Sequence, residues 1–136
     1  MQTFLPFPDF DASVRVLDRQ RLGKQRVETL QIIKALTQPG YGWQNHPAVK
    51  MWRGHLFQLL DYQHAVCSEW VNVRGFKDTC LDKSIDVVMS SDWYTQLDDD
   101  PFWLGNDALH ASHRSNLVRK LPELDRKSTR LNSSHT

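Results

Sequence analysis

DRQRLGKQRVETLQ, residues 18–31, carries the pattern on which the reading of the whole chain turns. Leu22, Val27, Leu30 and Ile33, with Ala35 and Leu36 beyond, recur near helical spacing and predict a helix from about Asp18 to Leu36. Around that stripe stand Arg19, Arg21, Lys24 and Arg26, with Arg15 just upstream, and among the cations sits one carboxylate, Glu28. Lys24 and Arg21 precede Glu28 by four and seven residues and share its helix face. Two readings are open. One is a solvated ion pair, for which lysine before glutamate is the less favourable order and contributes a few tenths of a kcal/mol. The other is a reactive acid beside bound phosphates. Gly23 costs the helix about 1 kcal/mol relative to alanine, so it marks a close backbone approach or a joint between two helical pieces.

Outward from this helix the chain reads as more of the same. Pro6 and Pro8 hold the first residues extended, and Asp11 or Ser13 is placed to cap a first short helix. TQPGYGWQNHP, residues 37–47, is a turn-rich connector. Asn45 or His46 then caps a helix with Pro47 in its first turn. Val49, Trp52, Leu56, Leu59/Leu60, Val66 and Trp70 carry one apolar stripe through about seven turns, up to Gly75. A weaker helical piece covers Thr79 to Met89. DDDPFWLGND breaks the pattern, and Asp107 caps a last helix from Ala108 to about Lys120. No strand candidate and no repeat is found. The expected fold is all-α: a compact single-domain helical bundle with a long central helix, over residues 1–124.

A chain of 136 residues can build one core, and 40% hydrophobic content is that of an ordinary soluble protein. No apolar run approaches the ~20 residues of a membrane helix, and MQTFLPFPDF lacks the layout of a signal peptide. Cys67 and Cys80 are too few for a disulfide framework, which makes a reduced, cytoplasmic setting the expectation. Residues 125–136, DRKSTRLNSSHT, have no apolar periodicity and read as the translation of a common sequencing-library adapter. They are expected to be a non-native tail and are left out of fold reasoning. Without their three cations and one aspartate the formal charge falls from +1 to −1, so global charge makes no case for nucleic acid. Its distribution does. Residues 15–34 hold six cations against Asp18 and Glu28, while residues 78–107 hold eight aspartates against Lys83 alone. A bipolar chain can offer one face to phosphate and turn the other away.

The last helix carries HASHRSNLVRK, in which His110, His113, Arg114, Leu117 and Lys120 recur at intervals of three and four. These residue types contact phosphate from a helix face, or simply face solvent. His46, His55 and His64 are nine residues apart and form no metal pattern; His64 and Cys67 with Cys80 lack a fourth ligand. No metal and no cofactor is expected, and no phosphate-binding glycine loop or nucleophile elbow is present. Trp52 and Trp70 fit the core stripe. Trp43 and Trp103 stand in loops, where an aromatic can stack or wedge, although packing is the commoner fate.

RLGKQRVETLQII, NHPAVKMWRG, CSEWVNVRG and HASHRSNLVRK follow one another in the order and spacing of the pyrimidine-dimer DNA glycosylase family. Residues 1–124 resemble a bacterial branch of it. The resemblance implies an all-helical domain that inserts into double-stranded DNA, flips a base and cleaves its glycosidic bond. The nucleophile it implies is the α-amino group of the N-terminal residue, which forms a Schiff base with the sugar and permits β-elimination. By position, the family's essential glutamate falls on Glu28 and its phosphate-holding arginines on Arg21 and Arg26. Lys24, His113, Arg114 and Lys120 join them as candidate DNA contacts. Characterised members expose a small residue after methionine removal. Gln2 here predicts that Met1 remains and supplies the amine, with Lys24 as the alternative if desolvated. An α-amine is roughly one-third neutral near pH 7.5 and an ordinary lysine only ~0.1%, so a terminus starts with an advantage in attack. A monomer, free of the membrane, is the default for such a domain. Two rival readings are a non-catalytic nucleic-acid-binding domain on the same scaffold and a helical interaction protein with a solvated basic face.

Overall fold

Helix ends in this chain are set by short polar side chains and by glycine. Asp9, extended after Pro8, accepts from the Ala12 N–H and opens α1 (Phe10–Arg15). The cap is therefore neither Asp11 nor Ser13: Ser13 is buried and bonds both the N–H and the carbonyl of Phe7. Asp18 accepts from Gln20 and Arg21 to open α2 (Arg19–Thr37), the longest helix at 19 residues. His46 caps α3 (Pro47–Trp52) through Nδ1. Then follow α4 (Leu56–Ser68), a π-helical segment (Glu69–Val73), α5 (Cys80–Met89) and α6 (Asp107–Lys120). Asn106, not Asp107, meets the first turn of α6, accepting from Leu109. The computed structural model describes residues 1–92 and 101–120, without the side chains of Arg119 and Lys120. Trp93, the Lys120 side chain and the 125–136 tail lie outside the described residues. Among the described residues all regular structure is helical, and no helix is long and apolar enough to cross a membrane.

The single helix expected from Pro47 to Gly75 is interrupted at residues 53–55, where Gly54 takes φ +85°, a conformation that L side chains disfavour. Val49, Trp52, Leu56 and Leu59 are all fully buried on both sides of the break. The apolar period therefore reads straight through it. On α2 the buried face runs through Leu22, Gln25, Thr29, Ile32 and Ile33, and Val27 is 45% exposed. Gly23 lies inside continuous helix: a Cβ there would stand 3.1 Å from the Trp70 ring, so the glycine serves a close approach and not a joint.

α2 packs mainly on α5 and α4, and α1 on α4. The core centres on Trp52 and Tyr62. Trp103 is buried edge-on against Trp52, ring centroids 4.9 Å apart, and donates Nε1–H to the Met51 carbonyl. It is a core residue and not a free stacking surface. Arg74 closes the end of α1, donating to the Leu17 carbonyl at 2.6 Å while its Nε pairs with Glu69 at 3.0 Å.

The N-terminal segment is extended and buried from Thr3 to Pro6, yet it pairs with no strand. Its main-chain groups are met by side chains instead. Phe4 N–H donates to Gln25 Oε1 at 2.9 Å, and Gln25 Nε2 donates to the Gln2 carbonyl at 2.7 Å. Tyr62 donates to the Phe4 carbonyl at 2.7 Å. Leu5 N–H donates to His113 Nδ1 and the Leu5 carbonyl meets His110 Nδ1 at 2.6 Å, while Arg114 donates to the Pro6 carbonyl at 2.7 Å. Replacing Gln25 by leucine keeps the bulk and strands a buried donor and acceptor. Gln25→Leu is expected to lower the unfolding free energy by about 2–3 kcal/mol in urea titrations, with early loss of hydrogen-exchange protection at Phe4.

Candidate active site

The segment held by Gln25 ends beside Glu28. One helical turn separates these two α2 residues, so their side chains reach the same stretch of chain. Gln2 N–H donates to Glu28 Oε2 at 3.1 Å. The covalent length of one residue then keeps the Met1 amine within about 7 Å of that oxygen. Glu28 is half-buried, and Tyr62 lies beneath it. Burial pushes the Tyr62 hydroxyl far above the usual phenol range, the Glu28 charge adding to this against the Phe4 hydrogen bond. Tyr62 stays a neutral donor.

On its open side Glu28 lines a groove of about 750 Å³ along the outer face of α2, with Arg19, Lys24, Val27, Gln31 and Trp70. Arg19 and Lys24 are exposed there; Lys24 thus has none of the burial that an alternative amine needs. Arg21 is half-buried and is not among the groove residues. Arg26 is drawn away: its Nη1 pairs with Asp78 at 2.6 Å and its guanidinium lies 4.5 Å from the centre of the Trp70 ring. Burial alone would raise the Asp78 carboxyl, but hydrogen bonds from Leu81 N–H and Arg26 hold it below its ordinary value. Arg26, expected on phosphate, therefore fixes the wall of the groove, because Asp78 arrives from the turn before α5.

A second cleft, of about 220 Å³, opens on the other side of the N-terminus. Met1, Gln2, His46, Met51 and His113 line it. Exposed Trp43 sits edge-on to the His46 ring, centroids 5.8 Å apart. His113 is thus turned inward, onto the N-terminal segment, and Arg114 likewise grips Pro6 while its guanidinium lies over Phe7. The α6 face read as a phosphate surface is largely a clamp on residues 5–7. Spacing shows only which side chains share a face, not what that face meets. His110 is fully buried, its Nε2 accepting from Gly105 N–H.

Two residues that line or hold the site are not singled out by sequence pattern. Gln25 reads as polar, yet it falls between Leu22 and Thr29 on the buried face, and that position was the available signal. His46 was read only as a cap. Cys67 and Cys80 are buried, and burial foremost raises both thiols, Cys67 well above the thiol range. Among the described residues no group of three or more His, Cys, Asp or Glu is placed to hold a metal.

An all-helical domain that brings its N-terminus to a lone glutamate, beside a groove edged with cations, can be compared with known proteins on those terms. A family model described as pyrimidine dimer DNA glycosylase matches residues 1–84. That is more than half of the chain, which belongs to the pyrimidine dimer DNA glycosylase family. The match takes in Met1, Gln25, Glu28 and His46 and stops before α6. No curated protein matches the chain. No solved structure matches it.

Burial, and after it His110, lowers the pKa of His113 below its ordinary 6.5. The unfolded chain then binds the proton more readily, so this contribution to stability is present above pH 6.5 and is lost as the pH falls below it. Unfolding free energy should decline between pH 7 and 5. His113→Asn, which keeps an acceptor for Leu5 N–H, should flatten that decline.

Proposed function

We propose that the protein is a DNA glycosylase/AP lyase that attacks a damaged or modified nucleotide in double-stranded DNA with the Met1 α-amine, using Glu28 as its acid–base group. The observation that carries this reading is the 3.1 Å bond from Gln2 N–H to Glu28 Oε2. It sets the terminus against the carboxylate while leaving Oε1 for substrate. The neutral amine attacks C1′, the bond to the base breaks, and the base departs with a proton. Ring opening gives an imine between Met1 and C1′, with the electron pair and a proton on O4′. Glu28 then accepts a proton from C2′; a C2′–C3′ double bond forms, the C3′–O3′ bond breaks, and the downstream strand leaves with its phosphate. Water releases the sugar fragment and restores the amine.

The groove cations hold the backbone in this scheme. Arg19 joins Lys24 as a phosphate contact on the groove, Arg21 lies outside it on α2, and Arg26 acts through Trp70 and Asp78 as a positioning residue. Each phosphate contact adds about 0.9 to the slope of log affinity against log salt. Arg19→Ala and Lys24→Ala are each expected to lower that slope by about this amount.

Borohydride trapping on a duplex with one abasic site tests the chemistry. A covalent adduct mapping to Met1 is expected, with Glu28→Gln slowing its formation or the strand cleavage by about 10²–10⁴-fold, the usual range for a general acid–base. No adduct, with salt-sensitive binding intact, would favour the non-catalytic binding domain.

A further inference from the structure

His46 and His113 come from distant parts of the chain, the start of α3 and the middle of α6, and meet in the cleft beside Met1. Each ring is tied to the main chain in the same way. His46 Nδ1 accepts from Ala48 N–H at 3.1 Å, and His113 Nδ1 accepts from Leu5 N–H at 2.9 Å. A ring whose Nδ1 accepts carries its proton on Nε2 when neutral. Each ring therefore presents Nε2–H as its remaining donor. Among the described residues neither Nε2 has a hydrogen-bond partner, and neither is a buried atom left unpaired. The result is two N–H donors lining one cleft with the N-terminus, where Thr3, Ala48 and Met51 bring no carboxylate.

Resting on the glycosylase/lyase reading above, we infer that His46 and His113 form a subsite that holds, through their Nε2–H groups, a backbone phosphate flanking the nucleotide attacked by Met1. Histidine suits this place because an imidazole N–H donates without needing a formal charge. The imine formed on Met1 carries a positive charge, and a lysine or arginine this close would repel it. Two imidazole N–H donors bind a phosphate oxygen without that penalty, and hydrogen bonds to a charged acceptor are the stronger kind. The outer cations of α2 supply long-range attraction; the histidines fix one phosphate where the reaction occurs. Their Nδ1 bonds to residues 5 and 48 fix ring orientation before DNA arrives.

Asparagine separates the two jobs of each ring. Its Oδ1 stands near the place of Nδ1 and can accept the same backbone N–H, and it is a favoured helix cap, but it has no group where Nε2 stood. Binding would be measured at fixed salt on a duplex holding a tetrahydrofuran abasic analogue, for the full chain, His46→Asn and His113→Asn. Each substitution is expected to weaken binding about tenfold with thermal melting preserved. The gap should close when the contacted phosphate, on one side of the abasic site, is replaced by an uncharged methylphosphonate. Variants that bind the native duplex like the wild type would overturn the subsite, as would a gap that survives methylphosphonate on both sides. If His113→Asn fails to fold, His46→Asn alone decides. A wild type that neither prefers the abasic duplex nor forms a borohydride adduct would overturn the lyase reading and the subsite together. An adduct with unaffected variants would overturn the subsite alone.

Discussion

The side-chain amide of Gln25 does the work of a missing strand. Its Oε1 receives the Phe4 N–H and its Nε2 meets the Gln2 carbonyl, a two-point contact like that between paired strands. An extended segment buried among helices must have such partners, because an unpaired backbone group in the interior costs about 1–3 kcal/mol. The approach of the N-terminus to Glu28 depends on this contact. It fixes where residues 2–4 lie, and the position of residue 2 brings its N–H to Glu28. Thr29, one turn further along α2, lies 3.5 Å from Gln25 Nε2 and is buried with it. Tyr62, with a hydroxyl held neutral by burial, closes the arrangement from α4.

The same economy explains α6. A helix with so little apolar periodicity has a weak hydrophobic reason to pack. His110, His113 and Arg114 attach it to the N-terminal segment by hydrogen bonds to Leu5 and Pro6. Two distant ends of the sequence thereby become one structural unit. Opposite them, the Gly23–Trp70 contact lets the Trp70 ring lie against α2, where Arg26 stacks on it and reaches Asp78. The charges on α2 are thus sorted by helix face: Arg26 turns toward α5, while Arg19 and Lys24 remain on the groove with Glu28.

The all-helical class, the limits of α2, the Pro47 start of α3 and the stop at Gly75 were legible because they follow from local rules: period, capping chemistry and glycine at positive φ. Glu28 stood out as a lone acid among cations, and the family motif gave it a role to be tested. The interruption at Gly54 was hidden because buried residues on either side preserve the apolar period. Trp103 was ambiguous for a related reason: a loop position says nothing about whether the loop folds back onto Trp52.

What the sequence by itself determined is the all-helical class and the family, since both rest on patterns within a few turns of chain. Tertiary structure alone decided which partner each polar group meets. Gln25 and Lys24 are neighbours in sequence, yet one is sealed against residues 2–4 and the other faces an open groove. His46 and His113 share no local pattern, but the fold places both beside Met1. The physical reason is that a polar side chain takes its role from the partner it meets after burial. In this protein the decisive partner is the N-terminal segment, which has no regular structure of its own to announce it.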